Sequence, residues 1–321
     1  MLETLIDWFA RAQQALFEGV VQPLVFDLGL GNLLELAYEG TGWLLVGLLQ
    51  IAVMLLVFGA LERWRPVEAV SDRAAVRVDV LYTLIHRLGL FRLAMFFVLD
   101  PLFDAVNGQL SLWNVSPLHL DALVPGVTDR PLVAFFIYLL VLDFANYWYH
   151  RAQHQFDWWW ALHAVHHSQR QMTMWTDNRN HLLDDMLHAT AFALLAQAIG
   201  VEPGQFVALV AVSQLLESLQ HANLRLWFGP VLERVLVSPR FHRRHHAIGI
   251  GHESAAGAGT LGGCNFGVLF PVWDMLFGTA DFQLRWDATG VRDQLPDEGG
   301  RDYGRGFWAQ QWLGLRRLFG H

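Results

Sequence analysis

Pro131-Leu-Val-Ala-Phe-Phe-Ile-Tyr-Leu-Leu-Val-Leu-Asp143-Phe-Ala-Asn-Tyr-Trp-Tyr-His150-Arg-Ala-Gln-His154 is an apolar run, broken by one carboxylate, that ends on two histidines four residues apart. A helix crossing a bilayer needs about 20 mostly apolar residues, and this run supplies them. Residues i and i+4 share one helix face, so the two imidazoles point the same way. A second cluster follows almost at once, His163-Ala-Val-His166-His167, and a third lies farther on, His242-Arg-Arg-His245-His246. Each offers two or three imidazoles in one direction, as metal ligation requires.

The rest of the chain fits the same frame. Thr41–Leu61 is uncharged from end to end, and Leu81–Phe103 is apolar but holds His86, Arg87 and Arg92. Met186–Leu219 holds two shorter apolar legs around Gly200-Val-Glu-Pro-Gly204, a strong turn signal. The expected architecture is therefore all-α: an integral membrane helical bundle of about three full spans plus a helical hairpin. A cytoplasmic helical cap would carry the histidine clusters. Within a single membrane domain, residues 1–40 and 281–321 read as amphipathic segments flanking a core at 41–280. Leu5, Trp8, Phe9 and Leu16 form an apolar stripe at one end, and Trp308, Trp312, Leu315 and Phe319 form one at the other. Such stripes either lie in the headgroup plane or pack on the protein. Arginines follow the first and third spans, whereas the first forty residues are mainly acidic. The positive-inside rule then points the histidines at the cytoplasm, in a multi-pass protein of the bacterial inner membrane.

Composition agrees with a membrane setting. Of 321 residues, 54% are hydrophobic and 16% charged, against about 25% charged in soluble domains. Net charge is −8 and lysine is absent, so no basic face exists for a nucleic-acid partner. The single Cys264 excludes an intramolecular disulfide.

The fifteen histidines stand out. His181 and His221 bracket the hairpin, and a hairpin returning to its own surface would bring both beside the three clusters. Ten candidate metal ligands result: His150, His154, His163, His166, His167, His181, His221, His242, His245 and His246. His86, His119, His188, His252 and His321 read as bystanders. Ten nitrogens exceed one zinc site and suit two ions; imidazole accepts iron, copper, nickel or zinc. Iron is favoured by the setting, where lipid substrates and O2 meet inert C–H bonds. Asp143, Asp184, Asp185 and Asp274 are candidates to orient the imidazoles. Asp143 is the strongest, because a charge inside a span marks function by default.

At these residues the chain resembles the fatty acid hydroxylase/sterol desaturase superfamily. The family's H-x3-H, H-x2-H-H and final H-x2-H-H read here as H-R-A-Q-H, H-A-V-H-H and H-R-R-H-H, with R-N-H181 and Q-H221-A-N between them. Asp143-Phe-Ala-Asn-Tyr-Trp-Tyr resembles its lead-in, Ser238-Pro-Arg-Phe its entry to the last cluster, and Asn265-Phe-Gly with Pro271-Val-Trp-Asp274 its close. The likeness covers roughly residues 81–282. It implies two iron ions (Fe2+/Fe3+) on the ten histidines, with Asp143, Asn265 and Asp274 as further active-site residues. It also implies O2-dependent hydroxylation, or desaturation, of a lipid such as a sterol or fatty acyl chain. Gly249–Gly263 departs from the pattern as a longer, small-residue insertion.

Gly257-Ala-Gly-Thr-Leu-Gly262 satisfies G-x-G-x-x-G, but no strand precedes it, and the motif requires one. With no flavin or nicotinamide module in sight, electrons are expected from a separate protein, a ferredoxin or a cytochrome with its reductase. His252-Glu253 lacks the second histidine of a zinc protease. Trp158-Trp159-Trp160 reads as an interfacial anchor or a substrate entry path. The alternative function is a membrane metal transporter or metal-binding protein, which would hold its ligands near the bilayer midplane in broken helices.

Overall fold

The structure, a computed structural model, describes residues 2–115, 118, 120–201, 203–249 and 262–320. His119, His252, His321, His252-Glu253 and all but the last residue of the G-x-G-x-x-G match lie outside the described residues. Among the described residues all regular elements are helices, besides one isolated bridge between Ala247 and Thr289. Helix α1 (Leu2–Leu16) continues through a π-turn into Gln22–Asp27. A long helix follows: α2 (Leu34–Val53) runs on through a π-turn at Met54–Phe58 to Trp64. That π-turn sets Met54 and Phe58 inward while Leu55, Leu56 and Val57 stay exposed. Helices α3 (Arg73–Arg87), α4 (Leu90–Leu112) and α5 (Pro131–Gln155) come next.

Two helical stretches, Gly31–Trp64 and Pro131–Gln155, are long and apolar enough to cross a membrane. Only 28% and 33% of their most apolar windows lie inside the protein. The outward faces carry Leu48, Leu49, Leu55 and Leu56 on one and Leu132, Phe136, Leu140 and Phe144 on the other. Apolar patches of that extent are unusual on a water-facing surface and suit a membrane. The expected span at Leu81–Phe103 is not continuous. Gly89, at φ +83°, ends α3 and starts α4, a left-handed conformation that glycine adopts without strain.

The expected hairpin is present as α7 (Leu182–Ala198) and α8 (Pro203–His221). Gly200 takes φ +73° at the turn, and its carbonyl accepts a hydrogen bond from Tyr138 on α5. Leu139, Leu142 and Leu209 join α5 and α8 in one apolar cluster, extended by Phe192 and Leu195 of α7. The histidine layer sits at the far ends of these helices. Short α6 (Asp157–His167) turns back off the end of α5. Helix α9 (Pro239–His245) begins with a Ser-Pro start, the Ser238 hydroxyl accepting from Phe241 N–H and Pro239 in the first turn, where no N–H is missed. Helix α10 (Val272–Phe277) closes the loop from the third cluster. Helix α11 (Phe307–Leu318) packs through Leu313 onto Trp160 and Ala164 of α6, while Trp308, Trp312 and Phe319 remain exposed.

Helices α2 and α3 touch backbone to backbone. A Cβ at Gly47 would stand 1.7 Å from the Arg87 carbonyl oxygen. Gly47→Ala is expected to force these helices apart and cost about 1–3 kcal/mol, the usual range for overpacking. Thermal unfolding of the purified variant in detergent checks this, and an unchanged midpoint would refute it.

Candidate metal centre

Each histidine cluster ends a helix for a local reason. His150 and His154 occupy the last two turns of α5, one turn apart. On α6, His163, His166 and His167 share its inward face, and all three are buried. His221 is the last residue of α8; its Nδ1–H donates to the Glu217 carbonyl one turn back, at 2.8 Å. His242, His245 and His246 come from α9 and its C-cap.

Nine of the ten expected ligands converge. His150, His154, His163, His167 and His245 form one group, and His166, His221, His242 and His246 another. Within each group the candidate ligand atoms lie within 4.8 Å of one another. The groups adjoin: the His167 and His246 rings stack with centroids 4.2 Å apart.

The first group is oriented by backbone carbonyls. Nδ1–H of His150, His245 and His154 donates to the carbonyls of Phe266 (2.9 Å), Cys264 (2.8 Å) and Gly262 (3.2 Å). A proton on Nδ1 leaves the lone pair on Nε2, aimed into the group. His163 is oriented by a carboxylate, with Nδ1 3.4 Å from Asp184 Oδ2. Asp184 is itself held by Trp159 Nε1–H (2.8 Å), Gln153 (2.7 Å) and the Tyr149 hydroxyl (3.2 Å). Burial would raise the Asp184 pKa, but His163 and the tryptophan donor outweigh it and hold this carboxyl below the usual range.

In the second group the Nε2 atoms face each other: His166–His221 at 3.2 Å, His221–His242 at 2.9 Å and His242–His246 at 3.1 Å. A ring with its proton on Nε2 can donate across such a contact, whereas two lone pairs repel unless a cation lies between them. Protonation is a poor remedy, because burial and the neighbouring imidazoles push His166, His242 and His246 well below their ordinary pKa. Nδ1 of those three and Nε2 of His163 also lack a hydrogen-bond partner among the described residues, although buried. Buried, neutral, converging imidazoles fit two transition-metal ions.

Residues 135–279 match the family model for fatty acid hydroxylase. That stretch, which holds most of the histidine layer, is similar to the fatty acid hydroxylase family. It is 28% identical over 153 residues to ornithine lipid hydroxylase OlsE of Rhizobium tropici, covering 48% of this chain and 43% of that one. It is 30% identical over 162 residues to the alkylglycerol monooxygenase of Caenorhabditis elegans, or 50% and 29% of the two chains. The Homo sapiens alkylglycerol monooxygenase gives 27% over 154 residues, 47% and 31%. These matches thus span less than half the length of each relative. No solved structure matches.

The remaining predicted residues are placed differently from expectation. His181, expected as a tenth ligand, joins neither group. It caps α7 by accepting from Leu183 N–H (3.1 Å), and its Nε2–H donates to the Gln311 carbonyl of α11 (2.9 Å). Both ring nitrogens are committed, and Gly314 makes room for the ring, since a Cβ there would lie 2.4 Å from it. Asp143 touches no imidazole. Its carboxylate accepts from the N–H groups of Leu269 (2.8 Å) and Phe270 (3.1 Å) and from Trp273 Nε1–H (2.9 Å). Asp274 accepts from Phe266 and Gly267 N–H at 2.8 and 2.7 Å, so it steadies the residue whose carbonyl orients His150. Asn265, at φ +59°, donates to the Phe241 carbonyl (3.0 Å) and accepts from Asp281 N–H (2.6 Å). These three hold the loop that holds the histidines. Asp185 pairs instead with the bystander His86.

The tryptophan run divides by helical rotation. Trp158 is exposed, Trp159 binds Asp184, and Trp160 is buried against His154 and His167 at centroid distances of 5.0 and 5.4 Å. The hydroxylase family's motifs gave no hint of the carbonyls of Gly262, Cys264 and Phe266, because a carbonyl carries no residue signature.

Metal analysis of purified variants separates these roles. His245→Ala is expected to lose bound metal. His181→Ala is expected to retain it, while losing about 1–3 kcal/mol of stability from a buried carbonyl left unpaired. Asp184→Asn is expected to weaken metal affinity about 10–100-fold; unchanged affinity would remove Asp184 from the site.

Proposed function

We propose that this chain is a membrane di-iron lipid hydroxylase, with the two histidine groups holding two iron ions on the cytoplasmic side of a bacterial inner membrane. The carrying observation is a cavity of about 450 Å³ that opens onto His150, His163, His166, His221 and His242. Its walls include Leu139, Leu142, Ala189, Phe192, Phe206 and Leu209, from α5, α7 and α8. Buried histidine groups facing a chamber that joins these apolar side chains to polar ones, Asn146, Gln153 and Glu217 among them, suit oxidation of a hydrocarbon chain with a polar end. Relatives named as an ornithine lipid hydroxylase and alkylglycerol monooxygenases support a lipid substrate.

The protein's own residues bind, orient and exclude water. Helices α5, α7 and α8 sheath the chain, so that one C–H bond rests against the histidine layer. Gly262, Cys264 and Phe266 carbonyls fix His154, His245 and His150, and Asp184 fixes His163. When bound, the irons supply reductive use of O2 against an unactivated C–H bond. One oxygen atom enters that bond and the other leaves as water, with two electrons and two protons from a separate ferredoxin or a cytochrome with its reductase. Removal of a second hydrogen in place of oxygen insertion would give desaturation.

A metal transporter fits less well. Its ligands would be expected near the membrane midplane, whereas these imidazoles cluster at helix ends, and backbone carbonyls hold His150, His154, His221 and His245.

Lipid mass spectrometry of cells with and without the chain tests the proposal. A lipid species one oxygen heavier is expected, lost in His245→Ala; a species short of two hydrogens would signal desaturation. An unaltered lipid profile together with readily exchanged zinc would favour transport instead.

A further inference from the structure

Away from the histidines, the cavity wall holds a cation without a counter-charge. His86 meets Asp185 at 2.9 Å. Arg87, beside it in sequence, meets Asp177 at 2.9 Å and also donates to Gln50, Gln214 and Ser218. Arg92 lines the same cavity, yet no carboxylate and no hydrogen-bond acceptor meets it among the described residues. Its guanidinium carbon lies 3.3 Å above the Trp43 ring. It also occupies the first turn of α4, where the helix dipole disfavours a cation.

Each feature gains from an anion. A charge within an apolar bundle is retained for function by default. Stacking on Trp43 fixes the guanidinium plane and leaves its N–H edges for a planar, two-pronged contact with an oxyanion. The first-turn N–H groups of α4 add positive potential at the same place. Phe91 and Met95, also on the cavity wall, flank it with apolar surface.

We propose that Arg92 anchors the anionic end, carboxylate or phosphate, of an amphipathic chain whose apolar body fills the cavity. The binding claim stands on geometry alone; only the claim about which carbon reacts rests on the hydroxylase reading. Gln214 borders Arg92 and precedes His221 by 221 − 214 = 7 residues of α8, or about 10 Å of helix. The oxidised carbon is therefore remote from the anionic group, not adjacent to it.

Binding of cis-parinaric acid and of its methyl ester to the full chain in nanodiscs, followed by fluorescence, tests the anchor without turnover. The wild type is expected to bind the acid roughly tenfold or more tighter, as for one charge-assisted hydrogen-bonded pair. Arg92→Met is expected to bring the acid-to-ester ratio near one, and Arg92→Lys to restore part of it. Displacement of the acid by lysophosphatidate at lower concentration than by oleate assigns the site to a phosphate; the reverse order assigns it to a carboxylate. A ratio near one in the wild type, or a wild-type ratio retained in Arg92→Met, overturns the proposal. The wild-type measurement decides even if Arg92→Met fails to fold. Acid selectivity without any oxygenated lipid would leave the anchor standing and sink the hydroxylase reading, and the converse holds for oxygenation without selectivity.

Discussion

The structure depends on keeping nine buried imidazoles aimed at common points. Each is a poor candidate for burial alone, since an unpaired polar atom in an apolar interior costs about 1–3 kcal/mol. Together they form two sites in which nitrogen faces nitrogen at 2.9–3.2 Å in the second group. Metal binding would offset what burying such a layer costs, and would couple folding to metal affinity.

The scaffold meets that constraint with a chain of fixed backbone groups. Asp143 and Asp274 lie one step removed from the imidazoles and act on the loop at 266–270. Gly267 is required there: a Cβ would stand 2.7 Å from Asp274 Oδ2 and 2.9 Å from the Phe270 carbonyl. Asn265 sits in the left-handed region, which asparagine tolerates better than most residues. The Asn-x-Gly and Pro-x-x-Asp signatures thus describe the geometry of a carbonyl cradle, and the cradle sets the tautomers of three ligands.

The same helices that end in histidine also wall the cavity. Helices α5 and α8 each carry apolar side chains along their length and histidines at one end, so chamber and histidine layer are placed together. Helix α7 contributes Phe192 to the chamber and Asp184 to the layer. Apolar surface faces outward on α2 and α5 as well, so these helices meet apolar surroundings on both sides.

Periodicity and residue type alone specified the all-helical class, the ends of the apolar run at residues 131–154, the hairpin turn and nine converging histidines. Those features follow from local rules: helix faces repeat every 3.6 residues, and an i, i+3, i+4 histidine set must point one way. Three matters were settled only by tertiary contacts. His181 looked like a ligand because it brackets the hairpin, but helix α11 arrives from 130 residues away and engages its Nε2. The apolar stretch around residues 81–103 looked like one span, yet Gly89 divides it. Asp143 looked like a direct orienter, but long-range donors from residues 269–273 claim its carboxylate. In each case the deciding partner is distant in sequence, and no local pattern encodes which distant backbone group will arrive.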